Sequence, residues 1–216
     1  MLKLTNINKV FNEGTPDEKV ALGDINLHLA PGDFVTIIGS NGAGKSTMMN
    51  MISGALTPDY GTIHINGKNV TGDAEYKRAR HIGRVFQDPM AGTAPSMTIE
   101  ENLAIAYNRT KTRTLGFGVN KKKKDIYRTA LEMLSLNLEN RLNAKVGMLS
   151  GGERQALSLL MATFTQPSIL LLDEHTAALD PSRAELITQL TKQLVEKDSL
   201  TTLMVTHNMQ QALDLG

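Results

Sequence analysis

Apolar and polar positions alternate from the first residues. Leu2, Leu4 and Ile7 alternate well enough with polar residues for a first strand, and Val20 to Leu29 gives another with a clearer period of two. Both stretches predict strands joined by a polar loop. Ala30-Pro31-Gly32-Asp33 predicts a turn, and Phe34-Val35-Thr36-Ile37-Ile38 has the short β-branched composition of a buried strand, with Ser46 to Ser53 read as a helix after it. Thr62 to Gly67 predicts another short strand, and Arg84 to Gln87 one that ends in a polar residue before the irregular stretch from Asp88 to Met97. From Thr98 to about Thr163 the apolar period becomes helical, with Ile99, Leu103 and Ala106 on one stripe and Ile126, Ala130, Leu131 and Leu134 on the next. Leu149 to Glu153 opens a helix that runs to about Phe164, with Ser150 placed as its N-cap. Ser168 to Leu172 is a fully apolar strand that delivers Asp173 and Glu174 at its C-terminal end. Asp180-Pro181 starts a helix whose stripe Leu186, Ile187, Leu190 and Leu194 predicts core, and Thr201 to Thr206 is a further buried strand with His207 at its end.

This order predicts an α/β chain. A β-rich core of about residues 1–97 and 165–216 is interrupted by a helical subdomain of about 98–164, and a length of 216 residues accommodates both. The formal net charge is +1, aromatic residues make up 4% and tryptophan is absent, so neither the basic footprint nor the stacking platforms of a nucleic-acid binder are visible. Without cysteine there is no disulfide framework and no thiolate metal site, which fits a reducing compartment. The N-terminus reads as a strand and not as a signal peptide, and no apolar run reaches the roughly 18 residues of a membrane span. Any membrane association is therefore expected through a partner. One basic stretch, Arg109 to Lys124, carries Arg109, Lys111, Arg113 and Lys121 to Lys124; it reads as a solvated loop or as a contact for anionic headgroups or an acidic partner.

The chemistry is concentrated in Gly39-Ser40-Asn41-Gly42-Ala43-Gly44-Lys45-Ser46-Thr47, at a strand-to-helix turn. Gly39, Gly42 and Gly44 let the backbone take positive φ and bring N–H groups to an anion, the helix dipole adds positive potential, Lys45 reaches the β- and γ-phosphates, and the Ser46 hydroxyl ligates Mg²⁺. This is a phosphate-binding loop in its expected setting. Ser150-Gly151-Gly152-Glu153 is a second helix start suited to anions, though a common one. Asp173 and Glu174 end a strand where open α/β sheets bind ligands: Asp173 can hold Mg²⁺ through water, and Glu174 can orient or deprotonate an attacking water. His207 at its own strand end can hydrogen-bond a γ-phosphate, and Phe11 reads either as core or as a base-stacking ring.

With those pieces in order, the chain resembles along its whole length the nucleotide-binding subunit of ATP-binding cassette (ABC) transporters. The resemblance implies a P-loop NTPase core with an inserted helical subdomain, and an ATPase that takes ATP and Mg²⁺. By that resemblance Phe11 stacks on adenine, and Gly39 to Thr47 is the P-loop. Gln87 is the Q-loop glutamine, which also touches the metal, Ser150, Gly151, Gly152 and Glu153 form the signature, and Asp173 is the Walker B aspartate. Glu174 is the catalytic glutamate, Ala178-Leu179-Asp180 the D-loop and His207 the switch histidine. It further implies a head-to-tail homodimer on ATP binding, membrane permease subunits, an extracytoplasmic binding protein indirectly, and a place on the cytoplasmic face of the membrane. Gln87-Asp88-Pro89, Gly92 to Thr98 and Asp173-Glu174-His175-Thr176 are similar to a bacterial group assigned to aromatic amino acid import. The sequence departs from the family pattern at Glu153, where glutamine is commoner, at His175 and Ala177, which replace proline and serine, and at Ala156 and Met161, which replace arginines. The family normally continues beyond the switch histidine with a final strand pair, whereas this sequence ends at Gly216, so a shortened chain is the expectation. Soluble ABC ATPases of DNA repair, translation or cluster assembly and ABC exporters are the rival readings; the coiled-coil insertion, second cassette or basic face of the soluble proteins is not visible.

Overall fold

The computed structural model describes residues 1–111 and 118–215. Arg113 and the Gly116-Phe117 step of the basic stretch lie outside the described residues, as does Gly216. The chain forms two compact units: Met1–Gly83 with Ser168–Asp173 and Ser199–Gly216, and Arg84–Pro167 with Glu174–Asp198.

The first unit holds an antiparallel sheet of β1 (Leu2–Phe11), β2 (Lys19–Leu29), β4 (Tyr60–Ile65) and β5 (Lys68–Asn69), in the order β2-β1-β4-β5. A second, parallel sheet is built from β3 (Phe34–Ile38), β8 (Thr201–Thr206), β7 (Ile169–Asp173) and β6 (Ile82–Val85), in the order β3-β8-β7-β6, with the chain leaving the unit at Gly83. Helix α1 (Lys45–Ser53) supplies Met48, Met49, Met51 and Ile52 to a core shared with Leu2, Leu4 and Ile7 of β1, and with Leu171 of β7 and Leu203 of β8. Leu2 and Leu4 keep the period of two, and a register shift between Leu4 and Ile7, where Asn6 takes φ 50°, returns Ile7 to the same core. Unadorned hydrophobicity explains β7, whose Ile169 to Leu172 are all buried, as in a strand covered on both faces. Phe34 to Ile38 departs from the buried strand expected of its composition. It pairs with β8 alone among the described strands, its first four residues are half-buried, and Ile38 is 46% exposed. A short helix, α2 (Glu75–Arg78), and the C-terminal α7 (Met209–Leu215) complete the unit.

The second unit is helical: α3 (Ile99–Asn108), α4 (Lys121–Glu132), α5 (Gly151–Thr163) and α6 (Pro181–Asp198). Thr98 and Glu101 form a capping box at α3, and Asn120 caps α4 by accepting from the Lys123 N–H at 3.0 Å. The basic stretch is therefore not one solvated loop. Lys121 to Lys124 make the first turn of α4, Lys124 pairs with Glu100 at 2.8 Å, and the Arg109 guanidinium turns inward to the Ala162 carbonyl and the Thr165 hydroxyl, where burial pulls its pKa down. Tyr107, Tyr127 and Phe164 pack edge-on or tilted with centroids 5.7–6.1 Å apart. Arg84 to Gln87 ends earlier as a strand than expected, at Val85, which leaves Gln87 in an exposed bend two residues on.

Candidate functional site

In the first unit the parallel register decides which side chains share an edge. Ile38 pairs with Thr206, and Asp173 pairs with Val205, so Gly39, His207 and Asp173 leave the sheet at the same, C-terminal edge. The loop that starts at Gly39 folds over its own lysine. Lys45 is 8% exposed, and its ammonium donates to the carbonyls of Gly39 at 2.7 Å and Ser40 at 3.0 Å. Gly44 is the N-cap of α1 at φ 85°, and a Cβ there would stand 2.3 Å from the Ala21 carbonyl oxygen, so both the turn and the close approach to β2 require glycine. Gly42 also has positive φ, but Gly39 does not; a Cβ at Gly39 would meet Ala43 at 3.4 Å, so its backbone there is one that other residues adopt. No side chain caps the first turn of α1 and no acidic residue sits in it. A helix start that no side chain caps, the positive dipole end and a held ammonium together suit a phosphate chain.

Phe11 lies at the end of β1 opposite Lys19, half-buried and outside the core cluster, with the Lys9 ammonium 5.7 Å from its ring centroid. Its strand pair reaches the loop: the Lys19 ammonium is 3.8 Å from where a Cβ on Gly42 would stand. Phe11 is therefore not part of the core, and the arrangement adds Lys19 as a cation that the sequence did not single out.

The second unit carries Gln87, Glu174, Asp180 and Ser150 to Glu153. Ser150 and Glu153 form a capping box on α5, which uses the N–H groups of Ser150 and Glu153 and leaves those of Gly151 and Gly152 as the remaining donors of the first turn. Glu153 also pairs with Arg141 at 2.7 Å; burial raises its pKa, but the bonds from Ser150 and Arg141 outweigh that and hold the carboxyl below the usual carboxylate value. A Cβ on Gly152 would meet the Arg183 side chain at 3.0 Å, and Ala156, where the sequence departs from the family's arginine, is fully buried. Asp180 caps α6 through the Arg183 N–H at 3.1 Å. Glu174 is half-buried with φ 43°, a left-handed conformation that costs a residue with a side chain about 1 kcal/mol or more. Next to it, His175 is 2% exposed, and burial pushes its pKa down to about 4. Its Nε2 lies 3.0 Å from the hydroxyl of Thr191, and Gln155 donates to the carbonyls of His175 and Phe86. Of these, only His175 stood out in the sequence, as a departure from the family pattern with no role attached: Thr191 lies on a helix read only as core, and Gln155 follows the signature with no motif of its own.

The predicted residues thus fall in two sets. Phe11, Gly39 to Thr47, Asp173 and His207 belong to the first unit, and Gln87, Ser150 to Glu153, Glu174 and Asp180 to the second. Among the described residues no three His, Cys, Asp or Glu side chains form a metal cluster. The donors that remain, the Ser46 hydroxyl and the Asp173 carboxylate, are hard oxygens too few for an all-protein cage, and they fit an ion such as Mg²⁺ that keeps waters and shares phosphate oxygens.

Comparison with known proteins agrees with this chemistry. The family model described as "ABC transporter" matches residues 22–177. A "Tyrosine transport ATP-binding protein" of Clostridioides difficile is 44% identical over 216 residues, 100% of this chain and 86% of that protein. An "Energy-coupling factor transporter ATP-binding protein" of Acetivibrio thermocellus is 34% identical over 97% of this chain and 72% of its own length. A solved dimeric ATP-binding cassette in a post-hydrolysis state, bound to ADP and Pi, superposes with a TM-score of 0.82 at 33% identity, covering 98% of this chain and 90% of that one. The phosphate-binding loop, the strand-end acids and these matches over nearly the whole length lead to one conclusion: the chain belongs to the ABC transporter family, as an ATP-binding cassette with the ATPase fold.

Proposed function

We propose that this cassette powers a bacterial importer of a small solute, an aromatic amino acid such as tyrosine. The observation that carries the reading is the 44% identity, over the whole of this chain, with a protein named for tyrosine transport. In this reading the cassette sits on the cytoplasmic face of the membrane, held there by permease subunits that an extracytoplasmic binding protein supplies; among its described residues no helix is long and apolar enough to cross a bilayer.

ATP is the substrate. The Gly39 to Thr47 backbone and Lys45 hold its phosphates, Phe11 stacks on its base, and Ser46, Asp173 and Gln87 hold Mg²⁺, which supplies charge neutralisation of the phosphates when bound. Glu174 takes the proton of the attacking water, and His207 bonds the γ-phosphate. Two copies close head to tail, so that Ser150, Gly151 and Gly152 of one face the nucleotide held by the other, and the region of about 98–164 acts as the helical subdomain that carries this signature. The dimeric ADP and Pi structure of a 33% identical cassette supports that arrangement.

The test is uptake of labelled tyrosine, tryptophan and an unrelated sugar by cells that carry either the native protein or Glu174→Gln, together with the identity of membrane proteins that co-purify in mild detergent. Loss of aromatic amino acid uptake alone, with a multi-span permease in the pull-down, is the expected result. Unchanged aromatic uptake, or cytosolic partners in place of a permease, would overturn the importer and leave the ATPase.

A further inference from the structure

Outside the phosphate-binding loop, one buried polar chain has no use in the mechanism above. On α5, amid the buried Ala156, Leu157, Ser158 and Leu159, stands Gln155, 1% exposed. Its amide nitrogen donates to two backbone carbonyls far apart in sequence, Phe86 at 3.3 Å and His175 at 2.6 Å. Its amide oxygen is buried and has no partner. An apolar residue would fill this place without leaving an oxygen unsatisfied, so the amide is kept for what its nitrogen does.

The two carbonyls belong to the residues flanking the functional side chains. Phe86 immediately precedes Gln87, and His175 immediately follows Glu174. The His175 ring is anchored in turn. The Thr191 hydroxyl donates to the Ile187 carbonyl at 2.8 Å, so toward His175 Nε2, 3.0 Å away, it is the acceptor, and the imidazole donates from Nε2. Gln155, His175 and Thr191 are all shut off from solvent, at 1%, 2% and 0% exposure. Glu174 itself is held at φ 43°, a conformation that persists only where its surroundings impose it.

We infer that Gln155, His175 and Thr191 are positioning residues that lock the backbone beside Gln87 and Glu174 to α5 and α6, and thereby aim the Glu174 carboxylate. The inference rests on the proposed role of Glu174 and deepens it. Shut off from solvent, the residues act through the main chain. Because the phosphate-binding loop belongs to the other unit and makes none of these bonds, losing one of them affects the chemical step and leaves nucleotide binding in place.

The test measures kcat and KM for ATP, nucleotide affinity and thermal midpoint in the full chain for Gln155→Met, Thr191→Val, Thr191→Ser, His175→Ala and His175→Gln, beside Glu174→Gln. Gln155→Met, Thr191→Val and His175→Ala are expected to lower kcat about tenfold or more with KM and affinity within about twofold. Thr191→Ser, which keeps the hydroxyl, and His175→Gln, which keeps a donor at similar reach, are expected to restore most of the rate. Thr191→Val changes the fewest atoms, so it carries the test if Gln155→Met does not fold. Native kcat in folded Thr191→Val and Gln155→Met, with turnover stalled in Glu174→Gln, would overturn the positioning role alone. Near-native turnover in Glu174→Gln would remove the role of Glu174 and this inference with it.

Discussion

At the scale of single residues, the site combines positions that are chemically obligatory with positions that only the fold makes special. Gly44 is of the first kind. With φ 85° and the Ala21 carbonyl 2.3 Å from any Cβ, Gly44→Ala has to move either the loop or β2, and nucleotide affinity measured by titration calorimetry is expected to fall at least a hundredfold. Lys45→Ala, which leaves the loop carbonyls of Gly39 and Ser40 without their ammonium, is expected to remove most affinity as well, whereas Glu174→Gln is expected to bind ATP normally and stall. His175 is of the second kind. Its unfolded imidazole takes up a proton near pH 6.5, while the buried ring resists protonation down to about pH 4. The unfolded state therefore binds more protons across that window, so the stability tied to the neutral ring is complete above about pH 6.5 and is lost as the pH falls toward 4. Denaturant melts of native protein and His175→Gln at pH 7 and pH 5 are expected to show the native protein losing more stability than the variant. Equal losses would mean that the folded ring takes up its proton at the same pH as the unfolded one.

At the scale of elements, capping and buried polar side chains decide how rigidly the functional loops are held. Arg78, 1% exposed, ends α1 by donating to the Met51 carbonyl at 2.6 Å and the Ile52 carbonyl at 3.1 Å, and it ties in the Thr71 and Asp73 carbonyls too. Burial lowers its pKa, but the guanidinium stays charged at any physiological pH and its fork matches the open carbonyls of a helix C-terminus. Arg78→Ala is expected to cost about 3 kcal/mol in chemical denaturation and to weaken nucleotide binding at the other end of the same helix. Asn102 does comparable work in the second unit. Fully buried on α3, its amide takes the Ala94 N–H at 2.7 Å and donates to the carbonyls of Ala94 and Thr98, which holds the irregular stretch after Gln87. In Asn102→Ala, hydrogen exchange of residues 88–97 is expected to speed up while that of α1 is unchanged. Neither residue is legible from pattern: an Arg in a short polar helix and an Asn on an amphipathic one read as surface, and only their three-dimensional neighbours make them internal.

At the scale of the whole molecule, the proposal makes the cassette a half-site that completes itself by dimerisation. Glu174→Gln with MgATP is therefore expected to elute at twice the monomer mass in size-exclusion chromatography with light scattering, and Ser150→Ala or Gly152→Arg in that background is expected to return it to monomer. A monomer under saturating MgATP in Glu174→Gln would contradict the head-to-tail arrangement. Much of the route to this picture was local and hence readable. The phosphate-binding loop is nine consecutive residues between a strand and a helix, the apolar run before Asp173 needs no partner to be recognised, and the N-cap Ser150 stands directly before its helix. Periods of two and of 3.6 likewise tell strands from helices, because side-chain direction along an element depends on that element alone. The tertiary structure decided what depends on distant pairing. The register of β3, β8 and β7 sets Gly39, His207 and Asp173 on one edge, the partial exposure of β3 follows from its place in the strand order, and Gln155 reaches carbonyls 69 and 20 residues away. Backbone carbonyls carry no sequence identity, so no pattern of residue types can foretell which ones a buried amide will find; only the folded chain brings them together.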